Sequence, residues 1–259
     1  QRGGITVALL EANNITIKFG GITAVNNASL KVEKGKITSL IGPNGAGKTT
    51  MFNCISGVYK PNEGEILFDG KHIEGKRCFE ICTAGISRTY QIINLFWKMT
   101  ALENVMVGFH PHVKSSILES FLGTKKQIAE ERELRERAME YLEFVGIPET
   151  ANMISKNLSY GKQRLLEIAR GLASEPQIIL LDEPVAGMNT VEKAAFDKLL
   201  RRIIDRGVTV LMIEHDMNVI MGVSDYIYVL ENGVMIASGS PEQVQNDPAV
   251  IKAYLGGEL

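Results

Sequence analysis

One glycine-rich segment, residues 42–49, constrains the fold of this chain more than any other feature. Its residues, Gly42-Pro43-Asn44-Gly45-Ala46-Gly47-Lys48-Thr49, fit the pattern G-x-x-x-x-G-K-[ST]. The pattern requires a preceding strand and a following helix, and the apolar run 37–41 and a predicted helix over 48–57 supply them. Glycines let backbone N–H groups close around phosphate oxygens, and the start of a helix adds a partial positive charge. The segment therefore predicts a nucleoside triphosphate site.

Two side chains of this segment have specific expected roles. Lys48 is placed to reach the β- and γ-phosphates, and the Thr49 hydroxyl is placed to ligate Mg²⁺. The predicted nucleotide-binding residues of the loop and the following helix are Gly42, Pro43, Asn44, Gly45, Ala46, Gly47, Lys48, Thr49 and Thr50.

The composition is that of an ordinary globular chain. Of 259 residues, 45% are hydrophobic and 22% are charged, which argues against intrinsic disorder. The formal net charge of −2 argues against a protein that binds nucleic acid through a broad basic surface. No stretch approaches the roughly 18 consecutive apolar residues that span a bilayer. The three cysteines, Cys54, Cys78 and Cys82, have no neighbouring histidines and are predicted to be reduced thiols.

The hydrophobic pattern predicts an α/β fold. Alternating apolar positions over 5–19 and 24–33 predict an antiparallel β-ribbon. The continuous apolar runs 178–181 and 208–213 are typical of parallel strands covered by helices on both faces. Between about 78 and 174 the pattern is helical. The predicted fold is a P-loop NTPase core with an antiparallel β subdomain and an inserted helical subdomain.

We expect a single domain over residues 5–257. The β subdomain and the nucleotide-binding core are predicted to occupy about 5–90 and 175–257. The helical subdomain is predicted to occupy about 91–174.

Acidic residues follow the run 178–181. Asp182 and Glu183 end this predicted strand, and strand ends face the ligand crevice of an open α/β sheet. Asp182 is placed to hold Mg²⁺, and Glu183 to polarise a water molecule for attack on the γ-phosphate. A strand that ends in solvated acids is common, but the preceding P-loop favours the functional interpretation.

Two further segments are ambiguous on physical grounds alone. His215 ends the next predicted strand, where an imidazole could contact the γ-phosphate or the attacking water, although a lone histidine is usually structural. Ser159 precedes a predicted helix and is a good N-cap, so this helix start is either a second anion site or simple capping. Gln91 has no physical signal of its own.

Taken together, these segments resemble the ATP-binding subunit of an ATP-binding-cassette (ABC) transporter, and the resemblance covers the whole chain. The corresponding family motifs, in family order, are the P-loop at 42–49, Gln91 as the Q-loop glutamine, 158–162 as the signature, Asp182-Glu183 as Walker B, 185–189 as the D-loop and His215 as the switch histidine. Phe19 matches the aromatic residue that stacks on adenine in this family.

The resemblance implies an ATPase that uses ATP and Mg²⁺. It implies Glu183, His215 and Gln91 as catalytic residues and Thr49, Gln91 and Asp182 as metal-binding residues. In the family two subunits close head to tail, and the signature of one completes the ATP site of the other. The implied signature residues, acting in trans, are Leu158, Ser159, Tyr160, Gly161, Lys162 and Gln163.

The resemblance also implies partners and a location. The partners are transmembrane permease subunits, a second ATP-binding subunit in a homo- or heterodimer, and indirectly an extracytoplasmic substrate-binding protein, with no nucleic acid. The implied location is cytoplasmic and peripheral, on the inner face of the cell membrane. ATP favours the closed dimer, and hydrolysis reopens it.

Within the family the chain is most similar to the LivG-like group of branched-chain amino-acid importers. The segments that carry this similarity are Arg88-Thr89-Tyr90-Gln91, 158–164, 186–189, 214–217 and 247–256. The signature departs from the common form LSGGQ at Tyr160 and Lys162, and the D-loop ends in Asn189 rather than Asp. Neither change predicts inactivity, because Lys48 and the Walker B acids are present.

Other interpretations remain open at this point. Related ATPases serve urea or amide import and lipopolysaccharide export. A soluble ABC ATPase of DNA repair or translation usually has two cassettes or a long coiled-coil insertion, and the residues between Gln91 and Leu158 are too few for that insertion. A GTPase would need an Asn-Lys-x-Asp segment, which does not occur. Glu183 argues against a catalytically dead nucleotide-binding module.

Overall fold

A computed structural model describes residues 8–112 and 125–255, which form two β-sheets and nine α-helices. The predicted domain limits at residues 5 and 257 lie outside the described residues. The strands are β1 Ala8–Phe19, β2 Ile22–Glu33, β3 Ile37–Ile41, β4 Glu63–Phe68, β5 Lys71–His72, β6 Ile86–Arg88, β7 Ile178–Asp182, β8 Thr209–Ile213, β9 Tyr226–Glu231 and β10 Val234–Gly239. The helices are α1 Lys48–Ile55, α2 Cys78–Ala84, α3 Ala101–Gly108, α4 Lys125–Val145, α5 Tyr160–Ala173, α6 Thr190–Asp205, α7 Met217–Val223, α8 Pro241–Gln245 and α9 Pro248–Leu255.

The smaller sheet is antiparallel and has the order β2-β1-β4-β5. Its strands β1 and β2 form the predicted ribbon, which turns at Gly20-Gly21 with Phe19 opposite Ile22. The strand β4 pairs with the other edge of β1. The predicted antiparallel β subdomain is confirmed.

The larger sheet has the order β10-β9-β3-β8-β7-β6. All of its neighbouring pairs are parallel except β9 and β10, which form an antiparallel hairpin around Asn232-Gly233. The α/β core with parallel strands is therefore confirmed.

The sequence prediction was wrong at one strand. The pattern predicts a helical stretch that includes residues 86–88, but they form β6, which pairs with β7 at the edge of the core sheet. Three residues are too few to show a hydrophobic period, so the strand is invisible in the sequence. The hydrophobic pattern also predicts one short helix after Pro241, whereas the structure has two, α8 and α9.

Alternate residues of the central strands pack into two different cores. Ile179 and Leu181 of β7 face the cluster that contains apolar residues of α3–α6, whereas Ile178 and Leu180 face the cluster shared with α1 and the antiparallel sheet. Because β7 is covered on both faces, its sequence is a continuous apolar run rather than an alternating one. This arrangement leaves only the strand ends available for polar side chains.

The three cysteines are free thiols, with Cys54 buried and Cys78 exposed. Within the residues that the structure describes, we find no helix that combines the length and the apolar character needed to traverse a bilayer.

Candidate functional site

The loop between β3 and α1 has a backbone that only glycine can adopt at two positions. Gly42 has φ +150°, and a Cβ there would lie 1.9 Å from the carbonyl oxygen of Leu230. Gly47 has φ +101°, and its Cβ would lie 2.4 Å from the carbonyl oxygen of Ala24. The loop is thus pressed against its neighbours, and any side chain at either glycine would displace it.

The rest of the loop is anchored at one point and exposed at its tip. Ala46 is buried, and its carbonyl oxygen accepts a hydrogen bond of 2.9 Å from the N–H of Gly233. Asn44 and Gly45 are exposed, and Pro43 is half-buried. Directly after this loop, α1 begins, and the first N–H groups of a helix have no intrahelical partner. The loop therefore presents backbone donors at the place where phosphate binding is predicted.

Lys48 is buried at the first position of α1. Its Nζ donates hydrogen bonds of 2.7 and 2.9 Å to the carbonyl oxygens of Gly42 and Pro43. Burial lowers the pKa of the Lys48 ammonium below its usual range, and the nearby carboxylates of Glu183 and Asp182 oppose this effect. The ammonium thus spans the loop and faces the two acids at the end of β7. Thr49 is exposed and Thr50 half-buried on the same helical turn.

The pairing of β7 with β8 brings the predicted acidic residues and histidine together. Asp182 pairs with Ile213, so both strands end at the same level of the sheet. The N–H of Glu183 continues the ladder with a bond of 3.0 Å to the carbonyl oxygen of Ile213. As a result Glu183 and His215 emerge from adjacent strand ends.

Glu183 lies at the centre of the predicted catalytic set. Gln91 Nε2 donates a hydrogen bond of 3.2 Å to Glu183 Oε2. His215 Nδ1 lies 3.9 Å from Glu183 Oε1. Glu183 also has φ +48°, a left-handed conformation that is unusual for a residue other than glycine and that turns the chain sharply after β7. The structure thus brings Gln91, Glu183 and His215 together.

Asp182 is only 1% exposed, and one of its oxygens has no hydrogen-bond partner in the described part of the chain. Its Oδ2 accepts a bond of 3.0 Å from Arg88 Nη2, whereas Oδ1 has none among the described residues. Burial raises the pKa of the Asp182 carboxyl, and the Arg88 guanidinium opposes this effect. An unsatisfied buried carboxylate oxygen is costly unless a ligand or ion uses it. Asp182 Oδ1 is therefore available as a metal ligand.

The side chain of Arg88 is buried and has no predicted role in the site. Besides Asp182, its Nη1 donates bonds of 2.7 Å each to Asn53 Oδ1 and Ser56 Oγ on the first helix and its cap. Its guanidinium carbon lies 5.0 Å from the centroid of the Tyr90 ring. Arg88 thus ties the strand that leads to Gln91 to both α1 and Asp182.

Glu214 is a second residue without a predicted role. Its carboxylate is fully buried, and Oε1 accepts a hydrogen bond of 3.0 Å from the N–H of Val185. Oε2 accepts bonds of 3.0 and 3.4 Å from the N–H groups of His215 and Asp216. One side chain therefore fastens the segment after Glu183 to the segment that presents His215. The adjacency to a strand end was the only signal in the sequence.

The segment 158–163 starts helix α5 but is not capped as expected. Ser159 occupies the N-cap position, which confirms the predicted helix start, but its side chain makes no capping hydrogen bond and is exposed. Leu158 is buried, and its carbonyl oxygen accepts a 2.9 Å bond from Gln163 Nε2. Simple capping thus fails to explain Ser159. No hydrogen bond among the described residues joins this segment to the loop 42–49.

The two unusual signature residues have clear local contacts. Tyr160 packs its ring against Gly187, where a Cβ would lie 3.1 Å from Tyr160 Cε1. Lys162 Nζ makes a 2.7 Å ion pair with Glu149. Gly161 lies close to Glu192, because a Cβ there would be 3.0 Å from Glu192 Oε1. The side chains of Tyr160 and Lys162 are therefore accommodated by this chain's own residues.

Asn189 at the end of the predicted D-loop is a helix cap. Its Oδ1 accepts bonds of 2.9 and 3.0 Å from the N–H groups of Val191 and Glu192, and Glu192 Oε2 accepts a 2.9 Å bond from the N–H of Asn189. This reciprocal arrangement is a capping box that begins α6. Asparagine performs it as well as aspartate, so the departure from the common sequence has no structural cost.

Phe19 lies at the tip of the antiparallel ribbon, and its ring is 45% exposed. Tyr59 contacts it edge-on, with ring centroids 5.2 Å apart and planes inclined by 71°. The face of Phe19 is thus supported from the side, and an aromatic face is the surface on which a purine ring stacks.

Comparison with known proteins places this geometry in a family. The family model described as "ABC transporter" matches residues 25–186, which is more than half of the chain. The chain belongs to the ABC transporter family. A second family model, described as "Branched-chain amino acid ATP-binding cassette transporter", matches residues 234–259 of this family member.

Curated relatives cover this ABC protein almost completely. The high-affinity branched-chain amino acid transport ATP-binding protein LivG of Escherichia coli strain K12 is 45% identical over 96% of this chain and 98% of its own length. BraF of Pseudomonas aeruginosa, which has the same description, is also 45% identical over the same shares. A probable LivG of Archaeoglobus fulgidus is 37% identical over 96% of both chains.

Solved ABC structures have the same fold. An ATP-binding cassette of an ABC transporter in its ADP conformation is 35% identical, covers 97% of this chain and 100% of its own, and has a TM-score of 0.84. A dimeric bacterial ABC transporter cassette is 29% identical, covers 90% and 98%, and has a TM-score of 0.76. The predicted ABC ATPase fold and ATP binding are confirmed.

Proposed function

We propose that this chain is the ATP-hydrolysing subunit of an ABC transporter that imports branched-chain amino acids. The convergence of Gln91, Glu183 and His215 at the strand ends, facing Lys48, is the observation that supports hydrolysis. The match of residues 234–259 and the descriptions of the curated relatives support the cargo. Cargo other than branched-chain amino acids, and a soluble role in repair or translation, have no comparable support.

In this proposal the nucleotide lies along the loop 42–49. Phe19 stacks on the adenine, the loop and the start of α1 bind the phosphates, and Lys48 turns from its two loop carbonyls towards the β- and γ-phosphates. The ammonium is already buried and oriented, so its reorientation exchanges carbonyl acceptors for phosphate oxygens. Backbone and side chain together then neutralise the triphosphate.

The residues present fit a magnesium ion. The unpartnered Asp182 Oδ1, the exposed Thr49 hydroxyl and the Gln91 side-chain oxygen are hard oxygen ligands of the kind that Mg²⁺ prefers. When bound, Mg²⁺ would neutralise charge on the β- and γ-phosphate oxygens. Arg88 holds the other oxygen of Asp182 and thereby fixes the orientation of the carboxylate.

In this proposal Glu183 polarises the attacking water. Its left-handed backbone directs the side chain away from the strand, and Gln91 Nε2 orients one carboxylate oxygen. His215 lies beside the other oxygen and is more than half exposed, so its ring is accessible to a γ-phosphate or to the water. Glu214 keeps the loops of both residues in place.

A second ATP-binding subunit completes the site in this proposal. Ser159 is exposed at a helix start and uncapped, so it is available to a phosphate of the partner's nucleotide. Dimeric solved relatives support this arrangement. The permease would dock in the cleft of about 740 Å³ between α2 and the loops around α3, where Phe79, Phe96 and Val107 are exposed. The chain would then lie on the inner face of the membrane, and the substrate-binding protein would act only through the permease.

A trapping experiment tests the proposal. Tagged Glu183→Gln protein with MgATP is used to purify partners from native membranes, because loss of the carboxylate should stop hydrolysis and hold the closed dimer. We expect recovery of polytopic permease subunits, and loss of that recovery in the Glu183→Gln, Lys48→Ala double variant, which lacks the phosphate-binding ammonium.

The recovered complex is then reconstituted with parental ATPase in vesicles that contain the binding protein. Uptake of leucine, isoleucine and valine supports the assigned cargo, whereas uptake of urea alone contradicts it. Recovery of ribosomes, DNA or soluble proteins without a permease would overturn the transport function itself.

A further inference from the structure

Arg164 is a fully buried arginine on the helix that begins after Ser159, and its contacts lie in a different segment. Its Nη1 donates bonds of 2.6 Å to the carbonyl oxygen of Tyr90 and 2.9 Å to Glu167 Oε2. Its Nη2 donates a bond of 2.8 Å to the carbonyl oxygen of Gln91. The planar guanidinium therefore holds two successive carbonyl groups, one of them belonging to Gln91 itself.

The Glu167 carboxylate binds backbone N–H groups of the same loop. It is 1% exposed, and its Oε1 accepts bonds of 3.4 Å from the backbone N–H groups of Tyr90 and Asn94. The Arg164–Glu167 pair thus grips the main chain on both sides of Gln91. A buried ion pair adds little net stability compared with an apolar pair of similar volume, so the specific contribution of this one is geometric.

The Nη2 group that donates to the Gln91 carbonyl also reaches the signature. Arg164 Nη2 donates a 3.3 Å bond to the Tyr160 hydroxyl, and the Tyr160 ring packs against Gly187 in the segment that follows Glu183. One side chain therefore joins three segments, namely the Gln91 loop, the helix start at Ser159 and, through Tyr160, the loop after β7. Tyrosine at the third signature position supplies the hydroxyl that glycine lacks.

We propose that Arg164 is a positioning residue that sets the place of Gln91 from the helix that begins after Ser159. This inference rests on the proposed roles of Gln91 and Ser159. In the closed dimer Ser159 contacts the partner's nucleotide, while Gln91 acts on the nucleotide of its own subunit. Arg164 then makes the engagement of one ATP site position the Gln91 side chain in the other, because the helix and the loop move as one unit.

The conservative variant Arg164→Lys separates positioning from structural support. A lysine ammonium still balances the buried Glu167 carboxylate, but it cannot donate at once to two successive carbonyls and a hydroxyl, as the guanidinium fork does. We expect the variant to fold with a melting temperature within a few degrees of the parent. Its ATP affinity should change less than about twofold, since the loop 42–49 and Phe19 are untouched. Misplacement of Gln91 should lower kcat about 10- to 100-fold at nearly constant KM.

A double-mutant cycle with Gln91→Ala decides whether Arg164 acts through Gln91. If it does, the Arg164→Lys, Gln91→Ala double variant has the same kcat as Gln91→Ala alone, because nothing remains to be positioned. Multiplied losses in kcat would overturn the proposal, and so would a parental kcat in Arg164→Lys. A parental kcat in Gln91→Ala would instead overturn the role that the proposed function gives to Gln91.

Two further variants keep the test decisive. Arg135→Lys, on the exposed face of α4 where Arg135 pairs with Glu131, controls for the loss of a guanidinium and should leave kcat unchanged. If Arg164→Lys does not fold, the Arg164→Met, Glu167→Met pair removes both buried charges together, which is often tolerated. That pair should bind ATP normally and show the same lowered kcat. Equal losses of ATP affinity and kcat in the folded pair would indicate a purely structural role and overturn the proposal.

Discussion

Replacement of Glu214 by glutamine should destabilise the protein more than the loss of one negative charge and one oxygen atom suggests. The carboxylate is fully buried and accepts three backbone N–H groups, from Val185 on one side and from His215 and Asp216 on the other. A glutamine amide has one oxygen and one NH₂ group. Whichever way the amide is oriented, its NH₂ group faces at least one backbone donor.

The magnitude follows from this count. The least harmful orientation keeps the two bonds to His215 and Asp216, which weaken because the acceptor is now neutral, and leaves the buried N–H of Val185 unpaired. An unpaired buried donor costs about 1–3 kcal/mol, and each weakened bond costs a further ~0.5–1 kcal/mol. Removal of a buried charge offsets part of this cost. We expect the free energy of unfolding to fall by about 2–3 kcal/mol, which corresponds to a Tm lower by roughly 5–10 °C.

Urea unfolding and ATP hydrolysis measure the two consequences separately. The urea midpoint should fall with an unchanged slope, because the folded state stays compact. The value of kcat should fall as well, since His215 and the segment after Glu183 lose their common anchor. Glu140→Gln, at an exposed position on α4, is the matched control and should change the free energy of unfolding by less than about 0.5 kcal/mol. If Glu214→Gln unfolds at the parental urea concentration, the assignment of Glu214 as the anchor of both loops is wrong.

Two other predictions concern titratable groups. The hydrogen bond from Lys193 lowers the pKa of the Asp216 carboxyl, so the folded state favours the ionised form. Asp216→Asn should therefore lower Tm at pH 7, and the difference in Tm from the parent should shrink as the pH falls through the lowered pKa. A Tm difference that stays constant from neutral pH to about pH 3 would contradict the assignment. Burial raises the pKa of the Cys54 thiol to about 12, whereas Cys78 is exposed. Iodoacetamide at pH 8 should therefore label Cys78 in the folded protein and Cys54 only after denaturation, as measured by peptide mass spectrometry. Labelling of Cys54 before denaturation would show that the core around α1 opens.

The sequence predicts those parts of the site in which the backbone geometry requires a particular residue type. Gly42 and Gly47 are recognisable because only glycine fits the loop, and Asp182 and His215 because they end continuous apolar strands. Parallel pairing aligns strand ends, so the meeting of Glu183 and His215 follows from the pattern itself.

The contacts that hold the site together could not be predicted in this way. In the sequence, Arg164 and Glu167 form a spacing of three residues that is common on solvated helix faces, and only tertiary packing shows that both are buried. Arg88 lies in a three-residue strand that is too short to have a period. Ser159 is of a residue type that is preferred at the N-cap, yet its side chain makes no capping hydrogen bond. Residue preference does not predict the direction in which a hydroxyl group points.

The position of the helical insertion has a consequence for how such proteins can diversify. The chain leaves the core sheet at the end of β6 and returns at the start of β7, which is the neighbouring strand and pairs with β6 in parallel, from Ile86 opposite Ile178 to Arg88 opposite Leu180. Everything between them departs from and returns to one edge of the sheet. Because such an insertion imposes no register on the other strands, it can be lengthened, shortened or exchanged for that of a relative without rebuilding the phosphate-binding loop. Under the proposed docking of the permease, the same ATPase core can thus serve permeases of different shape through changes in a single continuous stretch of chain.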